Sequence, residues 1–184
     1  LYLPVTNRLY RLGLSMGVLR RERFVSTGDP YRKGKPMSGK NSGEDMTIET
    51  EVACLQLGEL SLAAIPGELY PELVYGKFQE PADPAADFPN APLEPTIREI
   101  LGERKWMLFG LSNDEVGYLI PKRQWDRRKP YAYGREKAQY GEANSCGPEA
   151  AMIVMKGFAR CAAEEGQTEK RRQGGNAPEG NPAE

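Results

Sequence analysis

The chain has 184 residues, with 25 Lys and Arg against 26 Asp and Glu, three cysteines and no histidine. That length supports one hydrophobic core, and the near-neutral charge supplies no global basic field, so nucleic acid is not an expected partner. Without histidine, this chain alone cannot build a Ser-His-Asp or Cys-His centre, and it lacks the commonest metal ligand.

The chain opens at Leu1 and is already patterned by Tyr10, which suggests the later portion of a longer polypeptide. The spacing predicts a helix over residues 5–20. Thr6 or Asn7 would cap it, Leu9, Leu12, Met16 and Leu19 would form its apolar face, and Leu14 and Val18 would widen that face. Arg20, Arg21 and Arg23 follow, where cations suit a helix C-terminus. Residues 26–44 are polar and rich in Gly and Pro, and read as a solvated loop bearing Arg32, Lys33, Lys35 and Lys40. From Thr47 to Leu57 apolar and polar residues alternate, and Leu60–Ile65 repeats the pattern. Gly58-Glu59 between them suits a type II′ hairpin turn.

The second hairpin strand runs into Pro66-Gly67-Glu68. A helix is predicted next, with Leu69, Leu73, Val74 and Phe78 on one face and Pro71 in its first turn. Five prolines between residues 80 and 95 predict an irregular connection. A short helix near residues 95–101 leads to a strand at Trp106–Leu111, apolar enough to be covered on both faces. Val116–Ile120 reads as a further short strand, and residues 122–140 show no period. Gly147-Pro148 opens a last helix with Pro148 at its first position and Ala151, Val154, Met155, Phe158 and Ala162 facing inward. Residues 166–184 hold nothing to bury and read as a disordered tail, leaving 1–165 as one domain. The fold class is therefore α/β with a mixed sheet, a layered but incomplete domain in which a β-hairpin feeds the Pro66-Gly67-Glu68 turn.

No apolar run reaches the roughly 18 to 20 residues of a spanning helix. Cys54, Cys146 and Cys161 are widely spaced without a CxxC pair, so idle thiols are expected. Three segments put polar residues just beyond apolar strands, where layered α/β proteins hold ligands. They are Ile65–Glu68, Gly110–Tyr118 and Gln139–Glu149. Each also has a plain structural reading: Glu68 favouring the positive end of a helix, an Asn-Asp turn at Asn113-Asp114, and a capped helix start after Ser145. Ser145 lacks the glycine two residues before it that a G-x-S-x-G elbow needs, and neither it nor Cys146 has a histidine base.

Together these segments resemble the neutral/alkaline, non-lysosomal ceramidase family, over the latter part of its N-terminal catalytic domain. The resemblance rests on Ala64-Ile65-Pro66-Gly67-Glu68, on Phe109-Gly110-Leu111-Ser112-Asn113 with Gly117-Tyr118, and on Tyr140-Gly141-Glu142-Ala143-Asn144-Ser145 with Gly147-Pro148. It implies a zinc-dependent hydrolase of the amide bond of an N-acyl sphingoid base such as ceramide, with peripheral membrane contact and export as in bacterial members. Glu68 and Tyr118 would be zinc ligands and Tyr140 an active-site residue donating to the developing oxyanion. Two histidines from outside this chain would complete the metal site, so the chain by itself would be inactive. The run Leu69–Leu73 and the long stretch between Tyr118 and Tyr140 depart from the family pattern. A noncatalytic binding or structural module that keeps the scaffold without a complete metal site is the alternative.

Overall fold

A computed structural model describes residues 1–38 and 45–174. The fold is mixed α/β. β1 (Tyr2–Pro4), β2 (Arg23–Val25) and β3 (Met46–Glu49) form an antiparallel sheet in the order β1-β3-β2. β4 (Ala53–Leu57) and β5 (Leu60–Ala64) form the hairpin, and β7 (Lys105–Phe109) adds parallel to β5. The third sheet is a parallel pair, β6 (Glu68–Leu69) with β8 (Tyr118–Leu119). The helices are α1 (Arg8–Ser15), α2 (Pro71–Tyr75), α3 (Ile97–Leu101), α4 (Tyr140–Ala143) and α5 (Ala150–Gly174).

Local chemistry explains several of these elements. Gly58 takes a φ of 57°, the positive value required at the first position of a type II′ turn, and the β4–β5 register pairs Leu57 with Leu60 across it. At α3, Thr96 accepts from the Glu99 amide while the Glu99 carboxylate accepts from the Thr96 amide, a reciprocal cap. Pro71 takes the first position of α2, where its missing N–H costs nothing. In α5, Ala151, Val154, Met155, Phe158 and Ala162 recur at three- and four-residue steps, and all are buried. That stripe packs on β4, β1 and α3, and one core cluster joins it to Leu3, Ile48, Ile65, Leu73 and Leu119.

Several expectations are corrected. The first helix spans eight residues rather than sixteen: Val5 joins the ladder with β3, its amide bonding the Met46 carbonyl, Asn7 caps the start, and the helix ends at Ser15 ahead of Gly17, which has a φ of 74°. Of the expected apolar face of α1, Leu9, Leu12, Met16 and Val18 stand more than half exposed, and only Leu14 is buried. The predicted strand at Thr47–Leu57 breaks at Thr50–Val52, since β3 belongs to the first sheet and β4 to the hairpin. Glu68 lies in a strand rather than at a helix start, and α2 begins three residues later. β7 is covered on one face only: Met107 and Phe109 are nearly half exposed, on the same sheet face as exposed Leu55 and Leu57 of β4, with β5 between the two strands. α5 starts two residues after Pro148 and runs to Gly174, eight residues past the expected start of the tail at residue 166. The rest of that tail, and Lys40, lie outside the described residues. Among the described residues no helix is long and apolar enough to cross a membrane.

Candidate functional site

The hairpin delivers the chain from β5 into Pro66-Gly67-Glu68, and the backbone there is held on both sides. The Ser112 amide bonds the Ile65 carbonyl at 3.0 Å, and the Val116 amide bonds the Pro66 carbonyl at 2.8 Å. Glu68 N–H then donates to Gly117 O at 3.1 Å, and Tyr70 N–H donates to Leu119 O at 3.1 Å. From the far side, Tyr118 N–H donates to Asn144 O at 3.0 Å. The three sequence segments are thus stitched together by main-chain hydrogen bonds, although they lie up to about eighty residues apart in the chain.

Glycine makes this stitching possible at two positions. A Cβ on Gly67 would sit 2.5 Å from the Gly117 carbonyl oxygen. One on Gly117, which has a φ of 85°, would sit 1.9 Å from the Asn144 carbonyl oxygen.

Glu68 and Tyr118 are register partners across the parallel β6–β8 pair. Directly opposed residues on neighbouring strands present their side chains to the same face, with backbones about 4.8 Å apart. The Glu68 carboxylate beside the Tyr118 phenol is the main reason the phenol's pKa lies above the ordinary tyrosine value. A carboxylate favours the neutral, proton-donating phenol, whereas a cation held between the two groups would favour the phenolate.

Tyr140, the first residue of α4, is largely exposed, and its ring meets Tyr118 edge-on at 5.9 Å between centroids. The three residues line one cleft of about 550 Å³. Its opposite wall comes from α1 and the turn after it, through Leu9, Tyr10, Val18 and Leu19.

The supporting groups had other readings in the sequence: Asn7 stood as a helix cap, and Gln139 and Glu142 as parts of the third segment. Tyr70 packs edge-on against Tyr118 at 6.3 Å, and its hydroxyl donates to Gln139 Oε1 at 3.1 Å. Burial raises the Tyr70 pKa, and the nearby Glu142 charge adds to it. Glu142 is fully buried and accepts from Gln139 Nε2 and from the Asp126 amide, both at 2.8 Å, which anchors α4 and with it Tyr140. Asn7 caps α1 with Oδ1, while its Nδ2 donates to the carbonyls of Glu142, Ala143 and Ser145 at 2.8 to 3.1 Å. This single buried amide therefore couples the two walls of the cleft. Tyr70 also carried a sequence signal: it stands two residues after Glu68, the spacing that puts side chains on one face of a strand.

Other motif residues are structural. Asp114 pairs with Arg21 and accepts from Thr50 Oγ1 at 2.7 Å. Ser145 is buried, and its hydroxyl accepts from the Gly147 amide. The cysteines are free thiols. Cys146 is fully buried and donates to the Val116 carbonyl, and burial pushes its pKa up to about 12, so it holds no thiolate near neutrality.

This last shift predicts a pH dependence. The Cys146 pKa is raised from 9.0 to about 12 in the folded chain, so the unfolded chain loses the proton first. The stability this thiol contributes is intact below about pH 9 and is lost as pH rises toward 12, at up to about 1.4 kcal/mol per pH unit. Denaturant unfolding between pH 7 and 11, a range chosen to bracket the free-thiol pKa of about 8.5, should show this decline, and Cys146→Ala should flatten it.

Comparison with protein-family models, curated proteins and solved structures finds no match to this chain. Among the described residues no group of three His, Cys, Asp or Glu side chains could hold a metal ion. Glu68 and Tyr118 place two oxygen donors side by side, fewer than the three protein ligands a catalytic zinc site uses.

Proposed function

We propose that the chain is the later part of a zinc-dependent amidohydrolase domain resembling neutral ceramidase, acting on an N-acyl sphingoid base or a related N-acyl lipid. The observation that carries this reading is the pairing of Glu68 with Tyr118 in one register position, on the face that Tyr140 also borders. A carboxylate and a phenol placed side by side are hard oxygen donors suited to zinc, and Glu68 is exposed, leaving its outer side open to further ligands. Two histidines from outside this chain would complete the set. Bound zinc would supply Lewis-acid polarisation of the amide carbonyl and a water of pKa about 7.

The chain's own residues have separable tasks. Glu68 and Tyr118 hold the metal side of the cleft. Tyr140, whose hydroxyl belongs to an exposed ring at the cleft mouth, donates a hydrogen bond to the carbonyl oxygen as it gains charge. Leu9, Val18 and Leu19 give the opposite wall an apolar lining suited to an acyl chain.

The test uses the full-length polypeptide. Glu68→Ala and Tyr118→Phe should each lower bound zinc and the rate of N-acyl amide hydrolysis, by about 10- to 100-fold. Tyr140→Phe should lower the rate and leave zinc content unchanged. If both ligand variants keep the parent's zinc content and rate, the assignment fails. A full-length protein that binds no zinc and hydrolyses no N-acyl lipid would instead be a noncatalytic module on the same scaffold.

A further inference from the structure

A second cavity, of about 550 Å³, shares no lining residue with the cleft. Its walls come from four stretches of chain, around residues 7, 88, 127 and 148. Hydrogen bonds fix these walls in pairs. The Thr6 and Asn7 amides donate to the Cys146 carbonyl at 2.9 and 3.0 Å, and Gly147 leaves room for the Thr6 hydroxyl where a Cβ would collide with it. The Asp87 amide donates to the Trp125 carbonyl, and the Arg127 amide donates to the Asp87 carboxylate, both at 2.9 Å.

The cavity is cationic in a chain of net charge −1. Arg8, Arg127 and Arg128 border it, are exposed, and form no ion pair among the described residues. The two carboxylates on its walls are engaged: Glu149 pairs with Lys122, and Asp87 accepts from the Arg127 amide. The 25-residue α5 begins directly after Glu149, so the positive end of its dipole adds to the field. Phe88, Trp125 and Pro148 supply an apolar part of the lining. Trp125 is buried and its indole N–H has no acceptor among the described residues; an anionic oxygen at that wall would give it one.

Guanidinium groups bind anionic oxygens in paired, planar fashion, and three of them match the three terminal oxygens of a phosphoryl group. The volume falls within the range of about 300 to 1,000 Å³ typical of sites for small organic molecules and is larger than a bare phosphate ion fills. We propose that this cavity binds a small organic phosphate, a phosphomonoester whose phosphoryl group sits among Arg8, Arg127 and Arg128 and whose apolar body lies against Phe88 and Pro148. Glu68, Tyr118 and Tyr140 do not border the cavity, so its ligand does not depend on the function proposed above.

The test is isothermal titration calorimetry of the full-length polypeptide with phenyl phosphate, with a chelator present so that no metal competes for the phosphoryl group. Phenyl phosphate should bind about tenfold more tightly than inorganic phosphate, its binding should weaken in about 1 M salt, and benzyl alcohol should not bind. Arg127→Ala with Arg128→Ala, and Arg8→Ala by itself, should each weaken phenyl phosphate binding about tenfold or more while circular dichroism stays unchanged. Arg98→Ala, at an exposed arginine on α3, should leave binding unchanged. Glu68→Gln should also leave it unchanged, so loss of zinc binding and loss of this site are separate results. No binding of phenyl phosphate, equal affinity for inorganic phosphate, or equal weakening by Arg98→Ala would overturn the proposal. So would binding that survives removal of all three arginines. Binding to phosphatidic acid vesicles without binding of phenyl phosphate would overturn it too, since the arginines would then meet a lipid surface rather than a ligand in the cavity.

Discussion

Gly117→Ala should lower the stability of the chain by about 3 kcal/mol or more, read as a fall of roughly 10 °C in melting temperature. Two effects add. A residue with a Cβ at a φ of 85° costs about 1 to 3 kcal/mol by itself. The new Cβ would also fall 1.9 Å from the Asn144 carbonyl oxygen, a main-chain atom held by Tyr118 N–H. Gly117 cannot retreat without disturbing its carbonyl's bond from Glu68 N–H at the start of the β6–β8 pair, nor Asn144 without losing its bond from Tyr118 N–H. Gly58→Ala separates the two effects. Gly58 also has a positive φ, at 57°, but a Cβ there meets nothing within 4 Å, so that variant should cost only about 1 kcal/mol. Equal melting temperatures for the two variants would mean that Gly117 is not a tight crossing point. On the zinc site proposed above, Gly117→Ala in the full-length protein should also lower zinc binding, because the displaced backbone carries Tyr118.

Phe158→Ala should cost about 3 to 5 kcal/mol. Phe158 is among the largest fully buried side chains and sits in the middle of the inward stripe of α5, between Val154 and Ala162. Removing the ring gives up its transfer free energy and leaves a cavity between the long helix and the sheets, which the surrounding backbone can close only in part. Denaturant unfolding would measure the loss as a lower midpoint with an unchanged slope. Phe158→Leu, which keeps most of the volume, should recover much of it. A cost below about 1 kcal/mol for the alanine variant would show that α5 is not a principal clamp on the sheets. The two variants probe different parts of the molecule: Phe158 acts through apolar burial, and Gly117 through a single main-chain crossing at the cleft.

The elements differ in how far each could be read before the fold was known. The stripe on α5, the hairpin at Gly58-Glu59, the Thr96–Glu99 cap and the proline at the start of α2 each depend on residues within about one turn of one another, so their chemistry is local and visible in order. The three segments that meet at the cleft were also visible, the first two because each places polar residues after an apolar strand, the third because its polar residues precede a Gly-Pro helix start. Their meeting was not. β6 and β8 are two residues each, too short to show a period, and exist only because distant carbonyls and amides pair. For the same reason Glu68 read as the start of a helix, and Asn7 gave no sign that its amide would span to residues 142–145.

The amphipathic pattern of α1 shows the limit most clearly. Its spacing specified a helix with an apolar face, and a helix forms, but periodicity alone does not say whether such a face turns inward. β3 claimed residues 2–5, Leu14 anchored the opposite side, and the expected core face was left toward the outside. Composition and local order determined which elements form, how the turns close, and that no histidine-based centre can be built from this chain. Tertiary pairing alone decided which side chains share the cleft and which apolar surface stays uncovered, because those outcomes depend on hydrogen bonds and packing between residues that no local period connects.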